Sequence, residues 1–188
     1  MKKIISFLFV GLAITACQTD IVNHIDDKTL ENGGYMRTVT PYPVVNSTFS
    51  VSKANLSGTK MELVAEAVTA NYGALLESYD LSIAFIDATP SNGTKSVSAV
   101  ALKSLTPANF TKDATTGYPR ATLAITGTEA LNAVKLATTD ITASDYFTVT
   151  AVMRLTNGKS FSAANTGANI TGGAFYSSPF TYRINVAN

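Results

Sequence analysis

Cysteine occurs once in this chain, histidine once and tryptophan not at all. The lone cysteine, Cys17, excludes a disulfide within the chain. The lone histidine, His24, sits in a polar stretch and reads as a solvated linker residue. With Cys17 and His24 both near the start, the rest of the chain has no material for a Cys/His or Ser/His/Asp nucleophilic arrangement. Without tryptophan, the ring with the largest apolar face for sugar stacking is missing. Charge is sparse too: 14 basic and 13 acidic side chains, with no basic stripe of the kind a nucleic-acid partner requires. The apolar run from Ile4 to Ala16 is shorter than the ~20 residues of a transmembrane helix. No internal repeat or second-domain signal is visible.

What is present begins with that run. Met1-Lys2-Lys3, an apolar stretch and small residues at its end follow the pattern of a secretory signal peptide. It closes on Ile14-Thr15-Ala16-Cys17, which looks like a bacterial lipobox. There a thiolate is needed as the nucleophile that takes a diacylglycerol. A buried structural cysteine has no reason to stand directly behind such a segment. Acyl burial contributes about 0.8 kcal/mol per CH₂, so two or three palmitate-type chains on Cys17 would anchor the protein durably. The expected organisation is residues 1–16 as lipoprotein signal peptide, 17–32 as lipidated flexible tether ("QTDIVNHIDDKTLEN", polar and without period) and 33–188 as the folded domain.

The domain is rich in Ser, Thr, Val and aromatic residues, and it alternates. In "YFTVTAVMRL", Phe147, Val149, Ala151, Met153 and Leu155 share one face, as in a half-buried strand. Asn157-Gly158 follows as a type I′ hairpin signal, with "KSFSA" as the return strand. "DLSIAFID", "SVSAVALKSL", "RATLAIT", "YMRTVT", "STFSVS" and "FTYRINV" add further strands. "KMELVAEAVTANYGALLES" reads as strand, turn near Asn71–Gly73, and strand, although its apolar spacing also approximates a helical stripe. One short helix, "TGTEALNAVKL", is expected to connect two strands: Thr126 and Glu129 have capping-box spacing, and Leu131 and Val134 face the core. Turn signals at short intervals point to an all-β fold, a single β-sandwich.

The blocks "GGYMRTVT", "LSIAFIDATPSNG", "GYPRATLAIT" and "DYFTVTAVMRLTNGKSFSAANTGANITGGAFYSSPFTYRINV" resemble, in that order, a family of surface lipoproteins of Bacteroidota, over roughly residues 33–187. Members are often encoded beside SusC/SusD-type outer-membrane nutrient importers and are loosely similar to SusE-type proteins. The resemblance implies an immunoglobulin-like β-sandwich, lipid-anchored at the outer membrane and exposed on the cell surface, accessory to glycan uptake. It carries over no functional residues.

The residues themselves offer few sites. "SVSK" (50–53) and "SGTK" (57–60) match a Ser-x-x-Lys spacing, but both lie in strand or turn sequence and not on the helix that chemistry needs. Glu62 and Glu66 share a face and read as solvated. "DITASD" places Asp140 and Asp145 in a loop with hydroxyls. It lacks the spacing of a calcium loop, so turn hydrogen bonds to the backbone are expected instead. Tyr35, Tyr42, Tyr72, Tyr118 and Tyr176 lie in or near predicted turns and are candidate aromatic platforms. In "ITGGAFYSSPF" (170–180), Gly172-Gly173 permits a bulge and Pro179 confines the run to an edge strand or loop. Alternation from Phe175 turns Tyr176 outward, beside free hydroxyls. Tyr176, backed by Asn165 and Asn169 from the preceding loop, is the candidate ligand or partner site. No catalytic residue, metal or cofactor is expected. The reading is a non-catalytic surface lipoprotein accessory to a SusC/SusD-type system, binding a glycan or docking on the transporter. The alternative is a structural envelope subunit that makes only protein contacts.

Overall fold

The computed structural model describes residues 33–89, 93–174 and 176–188. The leader, Cys17, the tether with His24, and Phe175 lie outside the described residues. Among the described residues ten strands form two sheets. The first has the order β1 (Gly34–Thr40), β3 (Lys60–Thr69), β7 (Pro119–Thr126) and β6 (Thr111–Lys112), all antiparallel. The second has the order β2 (Phe49–Ser52), β10 (Thr181–Ala187), β8 (Tyr146–Leu155), β4 (Leu76–Ile86) and β5 (Val97–Leu105). Within it β2 runs parallel to β10, and β9 (Ser160–Ser162) pairs with the far half of β8.

Alternation accounts for the core. Phe147, Val149, Ala151, Met153 and Leu155 of β8 are buried, as are Leu81, Ile83 and Phe85 of β4. They meet Met61, Leu63, Ala65 and Ala67 of β3 and Leu123 and Ile125 of β7 in one apolar cluster. The result is an all-β sandwich. Two fully buried tyrosines carry polar tips into it. The hydroxyls of Tyr79 and Tyr182 lie 3.2 Å apart, and Tyr182 meets the Thr38 hydroxyl at 3.3 Å. This chain ties β1 to the opposite sheet. Burial holds both phenols above their usual range, so they remain neutral.

The stretch 60–77 resolves as strand, turn and strand, with β3 and β4 in different sheets. The expected connecting helix is α1 (Gly127–Ala133), in which the Thr126 hydroxyl accepts the Glu129 N–H at 3.1 Å and Leu131 faces the core, followed by buried Val134. It is not the only helical piece: Ala168–Gly172 forms a further single turn, α2. The β8–β9 hairpin also differs from expectation. Of its two turn residues only Gly158 has positive φ (+81°), and the Gly158 N–H reaches the Leu155 carbonyl at 2.9 Å. That is a type I turn with a glycine bulge, and not the I′ turn that would need both residues left-handed.

Candidate functional site

The described residues of 170–180 form no strand. After α2 it runs irregularly, with Ser177 and Phe180 at positive φ (+45° and +54°), and β10 begins only at Thr181. The Thr38 N–H donates to the Ser177 carbonyl at 2.7 Å, so the segment lies along the edge of β1. In-and-out alternation therefore does not apply to Tyr176. The supposed outward hydroxyls are not both outward either: Ser178 is fully buried. Tyr176 is half-buried, its ring edge-on to Tyr35 with centroids 5.0 Å apart. Asn165 spends its side-chain amide locally. Its Oδ1 accepts the Ser162 N–H at 2.7 Å and its Nδ2 donates to the Ser160 carbonyl at 2.9 Å. Asn169 is exposed in α2.

Tyr35 leads to a second arrangement, which sequence reasoning missed. Arg37, Glu66 and Arg120 stand opposite one another on β1, β3 and β7. By strand parity they occupy the outer face of the first sheet. Glu66 is nevertheless 0% exposed, which corrects the expectation of a solvated face. Arg37 Nη1 donates to its Oε1 at 3.0 Å; Arg120 Nε and the Thr116 hydroxyl donate to its Oε2 at 2.8 and 2.9 Å. A buried carboxylate persists only when so paired and bonded. Arg37 Nη2 also donates to the Tyr35 hydroxyl at 2.9 Å. Arg120 Nη1 continues to Asp113 Oδ2 at 2.9 Å. Asp113 Oδ1 in turn accepts the N–H groups of Thr115 and Thr116. The Thr116 N–H above all, with the Thr116 hydroxyl and Arg120, holds this carboxyl below its usual range. A continuous belt thus runs from Tyr176 through Tyr35, Arg37, Glu66 and Arg120 to the 113–118 loop.

At that loop the belt opens into a cleft of about 470 Å³, lined by Tyr72 and residues 112–117. Tyr72 leans over it from the β3–β4 turn and is 64% exposed, while Tyr42 and Val45 are each 54% exposed elsewhere. The Tyr72 and Tyr118 rings meet at 5.5 Å and 47°. The turn is unusual: Asn71 (φ 53°, ψ 45°), Tyr72 (φ 56°, ψ 50°) and Gly73 (φ 87°) are all left-handed. Asn tolerates this geometry, but for a bulky residue it is an outlier. Gly73 is required, because a Cβ there would lie 2.4 Å from Pro119 Cδ. Gly117 (φ +75°) lets the Tyr72 ring settle on the loop, since a Cβ there would stand 3.2 Å from Tyr72 Cδ1. Lys112 Nζ lies 5.9 Å from the Tyr72 ring centre.

Asp140 and Asp145 do make turn hydrogen bonds. Asp140 Oδ2 accepts the Ala137 N–H at 2.8 Å, and buried Asp145 accepts the N–H groups of Thr142 and Ala88 at 2.7 and 2.9 Å. Among the described residues no three His, Cys, Asp or Glu side chains converge as metal ligands. No family model matches the sequence, and no curated protein matches it.

Proposed function

We propose that this chain is a non-catalytic, lipid-anchored binding module of the bacterial cell surface, accessory to a SusC/SusD-type nutrient importer, and that it engages its ligand or partner at the Tyr72 cleft. The carrying observation is Tyr72 itself. It is the most exposed large apolar side chain described, and it is held in a conformation costing roughly 1–2 kcal/mol for an L-residue. Backbone strain at an exposed aromatic above a cleft is the pattern expected of a recognition site. Tyr176 and Tyr35 extend the surface at the far end of the belt.

The finer fold assignment belongs to the same proposal. The order β1-β3-β7-β6 in one sheet, with β5-β4-β8-β10 in the other and β2 parallel to β10, is what supports the immunoglobulin-like reading. Anchoring at Cys17 completes the reading, supported by the lipobox-like Ile14-Thr15-Ala16-Cys17; surface exposure rests on the family resemblance. Cys17→Ser should leave the precursor uncut or the protein soluble; a variant that still takes up fatty acid and sediments with outer membranes would contradict the anchor. For the site, calorimetry with neutral and acidic oligosaccharides and co-purification with the SusC/SusD-type pair should both be compared between wild type and Tyr72→Ala. Equal results in both assays would remove the cleft from the function.

One observation favours the alternative, a structural subunit making protein contacts. β5 is a nine-residue edge strand of the larger sheet, and such an edge is a template for strand addition. In that case truncating Tyr72 changes nothing, and Pro substitution along β5 abolishes co-purification.

A further inference from the structure

We infer that the Tyr72 cleft takes an anionic saccharide, with a pyranose face on Tyr72 and the sugar's acid group on Lys112. The inference rests on the binding-module reading and adds the ligand's chemical class.

It follows from where the charges are spent. Three cations, Lys112, Arg120 and Arg37, and two carboxylates, Asp113 and Glu66, lie in or behind the cleft. Both carboxylates are fully engaged. Glu66 is buried between Arg37 and Arg120, and Asp113 is held by Arg120 and by Thr115 and Thr116. Asp113 therefore stays ionised and turned to its own loop, not available to the ammonium of its neighbour. Lys112 is exposed and forms no ion pair among the described residues; Lys135 and Lys159 share both properties, but of the three only Lys112 lines the cleft. One positive charge is left over, and it stands at the aromatic wall. The ammonium stands over the Tyr72 ring, 5.9 Å from its centre, so the cleft carries two features at once: an apolar plane and a point charge.

A pyranose carrying a carboxylate or sulfate matches both. Its axial C–H face packs on a ring, as neutral sugars do, and its acid reaches the ammonium. The cleft volume, about 470 Å³, falls within the ~300–1,000 Å³ range of small-ligand sites. A lysine is a compact point charge without the planar fork that selects carboxylate geometry, so the two acid types are not distinguished by it. A free inorganic anion would use Lys112 but not Tyr72.

The test titrates the full-length protein with oligomers of several hexuronic acids, with their carboxyl-reduced neutral counterparts, with sulfated hexose oligomers, and with inorganic sulfate. At least one acidic oligomer should bind about fivefold more tightly than its neutral counterpart, the scale of a partly exposed ion pair. Lys112→Gln should bring the acidic oligomer down to the neutral affinity, and raised salt should do the same. Tyr72→Ala should weaken acidic and neutral forms alike. Uronate and sulfate series separate the two acid types. Equal binding of acidic and neutral oligomers, still dependent on Tyr72, overturns this inference and leaves the binding-module reading standing. Binding of inorganic sulfate as tight as any saccharide, or a preference that survives Lys112→Gln, overturns it as well. No saccharide binding at all removes it together with the glycan arm of the reading.

Discussion

If Tyr72 is kept for recognition against its own backbone preference, glycine at that position should be better for the fold than alanine. The magnitude can be worked from the turn. At φ 56° and ψ 50° an L-residue carries the left-handed penalty, roughly 1–2 kcal/mol, and glycine carries none. Glycine loses about 0.5–1 kcal/mol more backbone entropy on folding. Tyr72→Gly should therefore exceed Tyr72→Ala in stability by about 0.5–1 kcal/mol, the reverse of their usual order at exposed positions. Both variants lose the same ring, so the contacts with Tyr118, Gly117 and Lys112 cancel in the comparison. Urea titration is the assay of choice, because a domain of this size shifts its Tm by only about 2–4 °C per kcal/mol. Binding should fall equally in both variants, so that stability and recognition separate. An alanine variant as stable as the glycine variant, or more so, would show that the turn relaxes out of the left-handed region and that no strain is held there.

Three further outcomes follow from other parts of the molecule. Glu66→Ala should cost about 3 kcal/mol in chemical denaturation, the low end for breaking a buried pair, because the two guanidinium groups are 29% and 28% exposed and can rehydrate; a loss under 1 kcal/mol would mean that the carboxylate is not sealed in. At Asp145, burial pushes the carboxyl up, but hydrogen bonds from Thr142, Ala88 and Thr89 outweigh it and hold the group below its usual range. Its stabilisation is therefore full above about pH 4 and lost as pH falls through the folded value, so the gap between wild type and Asp145→Asn, about 2 kcal/mol at neutral pH, should close in acid; a gap constant with pH would refute the charge's part in it. Phe147→Ala should cost about 3–5 kcal/mol, since the ring is fully buried against Phe85, while Thr148→Ala on the opposite face should be nearly silent.

Much of the sandwich was legible because its information is local. The alternation of β8 and β4 needs only a window of ten residues, and the Thr126 cap only four. The belt was not legible for the opposite reason. Alternation correctly put Glu66 on the same face as Glu62, but what buries it comes from Arg37 and Arg120, 29 and 54 residues away along the chain. Nothing local distinguishes the buried glutamate from the exposed one. A register hypothesis pairing "YMRT" and "PRAT" with "AEAV" would have aligned the three residues. The turn at 70–73 was anticipated from Asn71 and Gly73, yet not its left-handed Tyr72, because single-residue preference argues against a tyrosine there. In 170–180 a tertiary contact overrides alternation. The Ser177 carbonyl takes the N–H of Thr38, and the chain bends to deliver it.

The belt also explains why the cleft can be precise although it sits on turns. Loops that carry recognition need a rigid support. Here the 113–118 loop is held from below by Arg120, which grips Asp113 with one nitrogen and buried Glu66 with another, and by Thr116, which reaches the same Glu66 oxygen. The opposite wall, the 70–73 turn, rests on Pro119, the residue directly before Arg120. Two adjacent residues of β7 thus set both walls, and the 113–118 wall depends through Arg120 and Thr116 on a carboxylate whose other oxygen is fixed by β1. Loss of Glu66 should consequently damage the cleft at one end and the Tyr35–Tyr176 pair at the other, through Arg37. The charged row is a positioning device: both Glu66 oxygens are taken up by Arg37, Arg120 and Thr116, and the row ends on Tyr35 at one side and on the Asp113 loop at the other.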